Sequence, residues 1–276
     1  MVKAILISGG IGSRLYKYTK DCPKGMLPFM GKPVLVQLVE KLRSLGVDNI
    51  VVVRKHLASK IQIPGVRYID EDPLSEGNML RGLMHARGEF DSDEDILVCY
   101  GDVVVERRLL KGIIEDNSEV SVMADIDWQE YWEARHGSAT LDTESFVLKN
   151  NGEREYAAGS SVQLLSLGVE DPGLDQCDAR YVGILKFNSS IFSKMLDIYD
   201  EEKKRYWNSS QKWYQSKNFK KAYMTDFVQL LIDRGVNVKA YLVSHGWLEF
   251  DTNEDYERAM KWDQEETLSR FYHKDQ

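Results

Sequence analysis

The sequence predicts an α/β protein: a mixed, mainly parallel sheet flanked by helices, with a small antiparallel subregion beside it. Three observations carry this expectation. The chain opens with strand, helix and strand within roughly fifty residues, the signature of a βαβ unit. The same alternation recurs as far as residue 125. Residues 139–188 then change to polar/apolar alternation broken by turn signals such as Asn150-Asn151-Gly152.

Taken in order, Lys3–Ser8 is a short aliphatic run ended by Gly9-Gly10, as expected of a buried strand. A polar loop with Gly12, Arg14 and Lys24 follows. The spacing of Leu35, Leu38, Val39, Leu42 and Leu45 then predicts a helix stopped by Gly46. Strands are expected at Asn49–Arg54, Val66–Ile69, Asp95–Tyr100 and Val120–Asp125, with a helix over Asn78–Arg87. Residues 190–235 read as helical throughout. Val238–Val243 reads as a strand, Trp247–Asp251 as a short extended segment, and Glu254 onward as an amphipathic helix capped by Thr252 or Asn253. No repeat, low-complexity tract or linker interrupts the chain. A single domain over 1–276 is therefore expected, in two halves at about 1–125 and 126–276.

Composition narrows the function. A net charge of −8 over 276 residues argues against nucleic acid as the main partner, which usually needs a basic face. No apolar run approaches the ~18–20 residues that span a bilayer, so no membrane partner is expected. Three widely spaced cysteines, 22, 99 and 177, fit neither a disulfide framework nor a zinc site, and suit the cytoplasm. The five histidines show no ligand spacing and read as surface or structural residues.

The most informative segment is Ser8-Gly9-Gly10-Ile11-Gly12-Ser13-Arg14-Leu15, followed by Pro23-Lys24. Glycines after the first strand let backbone N–H groups approach phosphate oxygens closely, and Arg14 and Lys24 would neutralise a polyphosphate. Two rival glycine motifs fail. Leu15 stands where a dinucleotide fingerprint needs its third glycine, and Gly31-Lys32 runs into Pro33 where a Walker loop needs Ser or Thr. Asp102 and Asp251 each end a predicted strand, and parallel strands of one sheet deliver their ends to one crevice. Two hard oxygen ligands there suit Mg²⁺. Glu249, two residues before Asp251, faces the same side of an extended segment.

Together, SGGIGSRL and PKGMLPFMGKPVL resemble the nucleotidyltransferases that activate sugar phosphates and alcohol phosphates, which have a Rossmann-like fold. The resemblance spans nearly the whole chain and continues at Gly101-Asp102 and at Trp247-Leu248-Glu249-Phe250-Asp251-Thr252. Asp127-Trp128…Trp132…Arg135, Tyr181-Val182-Gly183 and the Trp-Leu-Glu-Phe-Asp ending look closest to cytidylyltransferases acting on phosphocholine and small phosphonates such as 2-aminoethylphosphonate. Ser8 departs from the family's usual Ala. The resemblance implies a Mg²⁺-dependent enzyme that takes CTP and a small phosphorylated or phosphonate acceptor. Arg14, Lys24, Asp102 and Asp251 are then expected to be catalytic. Ser8, Gly9, Gly10, Gly12, Gly77 and Asn78 are expected at the nucleotide, with Asn78 against the pyrimidine edge, although Gly77-Asn78 also reads as a helix start. Trp128 and Trp132, at i and i+4, share one helical face with Arg135 one turn on. They are expected around a cationic acceptor with Tyr181 and Glu249, although both tryptophans also read as core. The competing readings are a sugar-1-phosphate uridylyl- or thymidylyltransferase and a non-catalytic regulatory nucleotide-binding module. The basic stretch Lys203–Lys221 reads as a solvated helical face, with a lid or a homodimer arm as alternatives.

Overall fold

The computed structural model describes residues 1–91, 93–150 and 156–274. The turn signal at Asn150-Asn151-Gly152 runs into residues outside this set. The strands are β1 (Val2–Ser8), β2 (Pro28–Phe29), β3 (Lys32–Pro33), β4 (Ile50–Arg54), β5 (Arg67–Asp70), β6 (Asp95–Tyr100), β7 (Val103–Val105), β8 (Val120–Asp125), β9 (Glu144–Leu148), β10 (Ser161–Glu170), β11 (Arg180–Phe187), β12 (Val238–Val243) and β13 (Trp247–Glu249). The helices are α1 (Tyr16–Thr19), α2 (Val34–Ser44), α3 (Met79–His85), α4 (Arg107–Glu115), α5 (Trp128–His136), α6 (Phe192–Tyr206), α7 (Met224–Asp233) and α8 (Asn253–Gln264).

Nine strands form the main sheet, in the order β5-β4-β1-β6-β11-β8-β12-β10-β9. The first four are parallel, as the βαβ pattern requires. β11 enters antiparallel between β6 and β8, and β10 and β9 close the far edge antiparallel. β1 shows why both faces are covered. Ala4 and Leu6 pack into one core with α2, α5 and α8, while Ile5 and Ile7 pack into a second with α3, α6 and α7. A strand buried on both faces must be apolar without alternation.

Local signals set the boundaries. α2 ends where Gly46 takes φ +81°, with its N–H donated to the Arg43 carbonyl at 2.9 Å and that of Val47 to the Leu42 carbonyl at 3.0 Å, a Schellman closure. α8 starts at Asn253 under a capping box between Thr252 and Asp255. Two expectations are corrected. The 190–235 stretch is two helices, α6 and α7, separated by an irregular segment at 207–223 that includes a short 3₁₀ turn at Phe219–Lys221. β13, which leads to Asp251, is not a strand of the main sheet; it pairs antiparallel with β7 in a small ribbon. Among the described residues, no helix is long and apolar enough to cross a membrane.

Candidate active site

The parallel strands β1, β4, β5 and β6 end on one side of the sheet, and the loops that follow them build a crevice there. After β1, Gly12 takes φ +67° while Thr19 Oγ1 donates to its carbonyl at 2.9 Å, which holds the glycine loop in shape. The loop forms one wall of a cavity of about 520 Å³, and Gly77 and Asn78 form another. Lys55 and Glu71, the residues immediately after β4 and β5, line it as well. A second cavity of about 230 Å³ is lined by Arg14, Tyr100, Glu144, Arg180, Tyr181 and Glu249, with Asp251 beside them. Asn78, Met79 and Tyr223 line both cavities, so the two adjoin.

Lys24 joins the two aspartates. Its Nζ lies 2.6 Å from Asp102 Oδ2 and 2.7 Å from Asp251 Oδ1. The approach depends on Gly25, because a Cβ there would stand 2.5 Å from the Gly101 carbonyl oxygen. Burial alone would lower the Lys24 pKa, but the two carboxylates outweigh it and hold the ammonium charged. Burial likewise opposes the charge on Asp251, and Lys24 and Arg135 overcome it to hold that carboxyl well below the usual range. Arg14 stands 3.7 Å from Asp251 and 3.6 Å from Asp142. The point on which both carboxylates converge is the Lys24 ammonium itself, and their remaining oxygens are hard donors of the kind that hold a magnesium ion completed by phosphate and water. Among the described residues no three His, Cys, Asp or Glu form a metal cage.

Several expected site residues lie elsewhere. Trp128 and Trp132 are 1% and 0% exposed and line neither cavity. They pack edge to face at 6.3 Å within a core that includes Tyr131 and Trp247, because large rings gain most from full burial. Arg135 is buried behind the site. It ion-pairs with Glu249, with Asp251 at 3.1 Å and with Asp255 at 2.8 Å, and it is on neither cavity wall. Ser8 lies beneath the loop, where a Cβ at Gly101 would meet its side chain at 2.9 Å, and it is on neither cavity wall. Tyr181 and Glu249 do line the smaller cavity. Asn78 serves both readings. Its side chain caps α3 by accepting from the Met79 N–H at 2.9 Å, and it lines both cavities.

Lys217 and Lys221 are not on a solvated helical face. The segment carrying them is anchored by Trp213 and Phe219, 4% and 3% exposed, and both lysines line the larger cavity. Sequence reasoning set these two in the basic stretch Lys203–Lys221, with a lid as one alternative, and missed Lys55, His56, Glu71, Glu144 and Arg180. The positions directly after β4 and β5 would have revealed Lys55 and Glu71.

Comparison with known proteins places this geometry. The chain is 26% identical over 265 residues to the CTP:phosphoglutamine cytidylyltransferase of Campylobacter jejuni, covering 93% of this chain and 98% of that protein. It is 34% identical over 119 residues to the CMP-5'-(3-aminopropyl)phosphonate synthase of Streptomyces rubellomurinus, covering 40% of this chain and 18% of that one. The solved CTP:phosphocholine cytidylyltransferase of Streptococcus pneumoniae shares the fold, with a TM-score of 0.66 at 18% identity over 94% of this chain and 98% of that one. The family model described as the MobA-like NTP transferase domain matches residues 4–155, a span that holds the glycine loop, Lys24 and Asp102. Since that span exceeds half of the 276 residues, the chain belongs to the MobA-like NTP transferase domain family and is a nucleotidyltransferase.

Proposed function

We propose that the protein is a Mg²⁺-dependent cytidylyltransferase that moves CMP from CTP to a small acceptor bearing a phosphate or phosphonate and an amino group. The observation that carries this is the Lys24 clasp with Asp102 and Asp251 beside two adjoining cavities. The larger cavity takes the nucleotide, with its polyphosphate on the glycine loop near Arg14 and Lys24. The smaller takes the acceptor. Arg14 and Arg180 suit its phosphoryl end, while Glu144, Glu249 and the rings of Tyr100 and Tyr181 suit an ammonium. The relatives named above, two of which act with CTP on a phosphorylated compound, support the same reading.

The reaction asks little acid–base work of the chain. An acceptor oxyanion, already ionised near neutral pH, forms the new bond to the α-phosphorus. The bond from that phosphorus to the bridging oxygen breaks, and pyrophosphate leaves with the electron pair. A magnesium ion on Asp102 and Asp251 would supply charge neutralisation at the phosphates. Lys24 and Arg14 add fixed positive charge, the backbone of Gly9–Gly12 positions the polyphosphate, and Arg135 keeps Asp251 in place. A pyrophosphate-release screen tests the reading. CTP, UTP, TTP and ATP are crossed with 2-aminoethylphosphonate, phosphocholine, a phosphorylated amino acid and hexose 1-phosphates, with and without Mg²⁺. Release with CTP and an amino-bearing acceptor is expected. Preference for a hexose 1-phosphate with UTP or TTP would establish the sugar-activating alternative instead.

A further inference from the structure

The segment between α6 and α7 is held more firmly than a solvated basic loop requires. Trp213 is buried and donates its Nε1–H to Glu202 at 3.1 Å, and buried Phe219 packs beside Tyr199. Asp226, in the first turn of α7 and 2% exposed, closes the segment on itself. It accepts from the Gln215 N–H at 2.9 Å, from the Ser216 hydroxyl and from the Tyr223 N–H at 3.1 Å. The Asn218 side chain accepts from the Lys221 N–H at 3.2 Å, which fixes the 3₁₀ turn. Residues 215–223 therefore form a fixed strap. It lies beyond residue 155, where the match to the family model ends.

The strap brings Lys217 and Lys221 to the wall of the larger cavity, which Lys55 lines as well. Lys55 donates to the Ser75 carbonyl at 2.6 Å. Among the described residues, the side chains of Lys217 and Lys221 make neither an ion pair nor a hydrogen bond. An unpaired lysine is ordinary on open surface, but two on one cavity wall repel each other and call for an anion. The other cations of the site are already engaged. Lys24 lies between Asp102 and Asp251, Arg14 stands by Asp251 and Asp142, and neither lines the larger cavity. A ribose hydroxyl or a base edge is neutral and leaves the ammonium charge unanswered, whereas phosphate oxygens accept charge-assisted hydrogen bonds from it. Resting on the nucleotidyltransferase reading of this cavity, we propose that Lys217 and Lys221 bind the β- and γ-phosphates of the nucleotide. The strap thereby favours the triphosphate over the monophosphate and holds the group that leaves as pyrophosphate.

The test measures equilibrium binding of CMP, CTP, UMP and UTP at one Mg²⁺ concentration without acceptor. The proteins are wild type, Lys217→Ala, Lys221→Ala, the double alanine variant, the double arginine variant and Lys220→Ala. Lys220 is the control, since it sits on the same strap, lies over Trp207 at 5.3 Å and lines neither cavity. The double alanine variant should bind the triphosphate at least about tenfold more weakly while the monophosphate stays within about twofold. Each single variant should lose part of that affinity, and arginine at both positions should restore it. Lys220→Ala should match wild type although it removes the same charge. A loss equal for monophosphate and triphosphate would put the lysines at the base, the ribose or the α-phosphate and overturn the proposal. An equal loss in Lys220→Ala would reduce the effect to net charge and overturn it too. Tight triphosphate binding that ignores both lysines overturns this proposal alone, whereas a wild type that binds no nucleotide overturns it together with the reading of the cavity. Lysine-dependent triphosphate binding with no pyrophosphate release from any acceptor would retain the strap and discard the transfer reaction.

Discussion

Lys24 and its two carboxylates hold charge in a partly buried place where no single member would be stable alone. Positions 24, 102 and 251 each leave the others uncompensated if changed. Asp102→Asn and Asp251→Asn should each lower turnover by orders of magnitude while the circular dichroism spectrum stays that of wild type. Either variant turning over within about tenfold of wild type would remove that aspartate from the site. Lys24→Ala should reduce kcat more than it raises KM for CTP, because its charge matters most as negative charge builds on the departing phosphates. An effect confined to KM would reduce Lys24 to a ground-state contact. Glu144 makes a different prediction. Burial pushes its carboxyl up to about 7, against the opposing pull of Arg180, with Asp226, Asp142 and Glu170 adding to the rise. The folded chain therefore holds this proton where the unfolded chain has released it, and Glu144 subtracts stability as pH rises from about 4.5 to about 7. In thermal melts, Glu144→Gln should gain Tm over wild type at pH 8 and little at pH 4.5. An equal gain at both would mean that Glu144 is not held protonated in the folded state. With an amino-bearing acceptor, the same variant should show a raised KM at pH 8.

At the scale of the element, α5 shows how one periodicity supports two roles. Trp128 and Trp132 do share a face, as their i, i+4 spacing requires, but that face turns into the core with Tyr131 and Trp247. Arg135, on the same helix, reaches the back of Asp251. Trp128→Ala should therefore cost about 3–5 kcal/mol of stability, read as a lower urea midpoint, and leave the acceptor KM within about twofold. A selective rise in acceptor KM at unchanged stability would return the tryptophan to the acceptor pocket.

At the scale of the whole molecule, the place of β11 ties the halves together. It lies between β6 and β8, so the strands of residues 1–125 are completed by one from residues 180–187. A fragment of residues 1–125 should fail to fold, lacking the partner that covers the edges of both β6 and β8. The full chain should unfold in urea as one transition that coincides by tryptophan fluorescence and far-UV circular dichroism. Two separated transitions would divide the molecule into independent domains.

Much of this was legible in the residues. Period-two and period-3.6 patterns name strands and helices because they report local backbone geometry, and β6, β8 and β12 fall where the apolar runs lie. The glycine loop and Gly46 were legible for the same reason: the need for a positive φ or for close approach is written at one position. What only the tertiary structure decided depends on residues far apart in the chain. Whether Trp132 faces a ligand or the core depends on α5 packing against β13, and the spacing is the same in both cases. Lys217 and Lys221 reach the larger cavity because Trp213 and Phe219 anchor the segment that carries them. Asp251 meets Lys24 through β13 and β7 and not through the main sheet. Burial and partnership depend on the whole packed chain, so the raised pKa of Glu144 becomes readable only once the fold has closed around it.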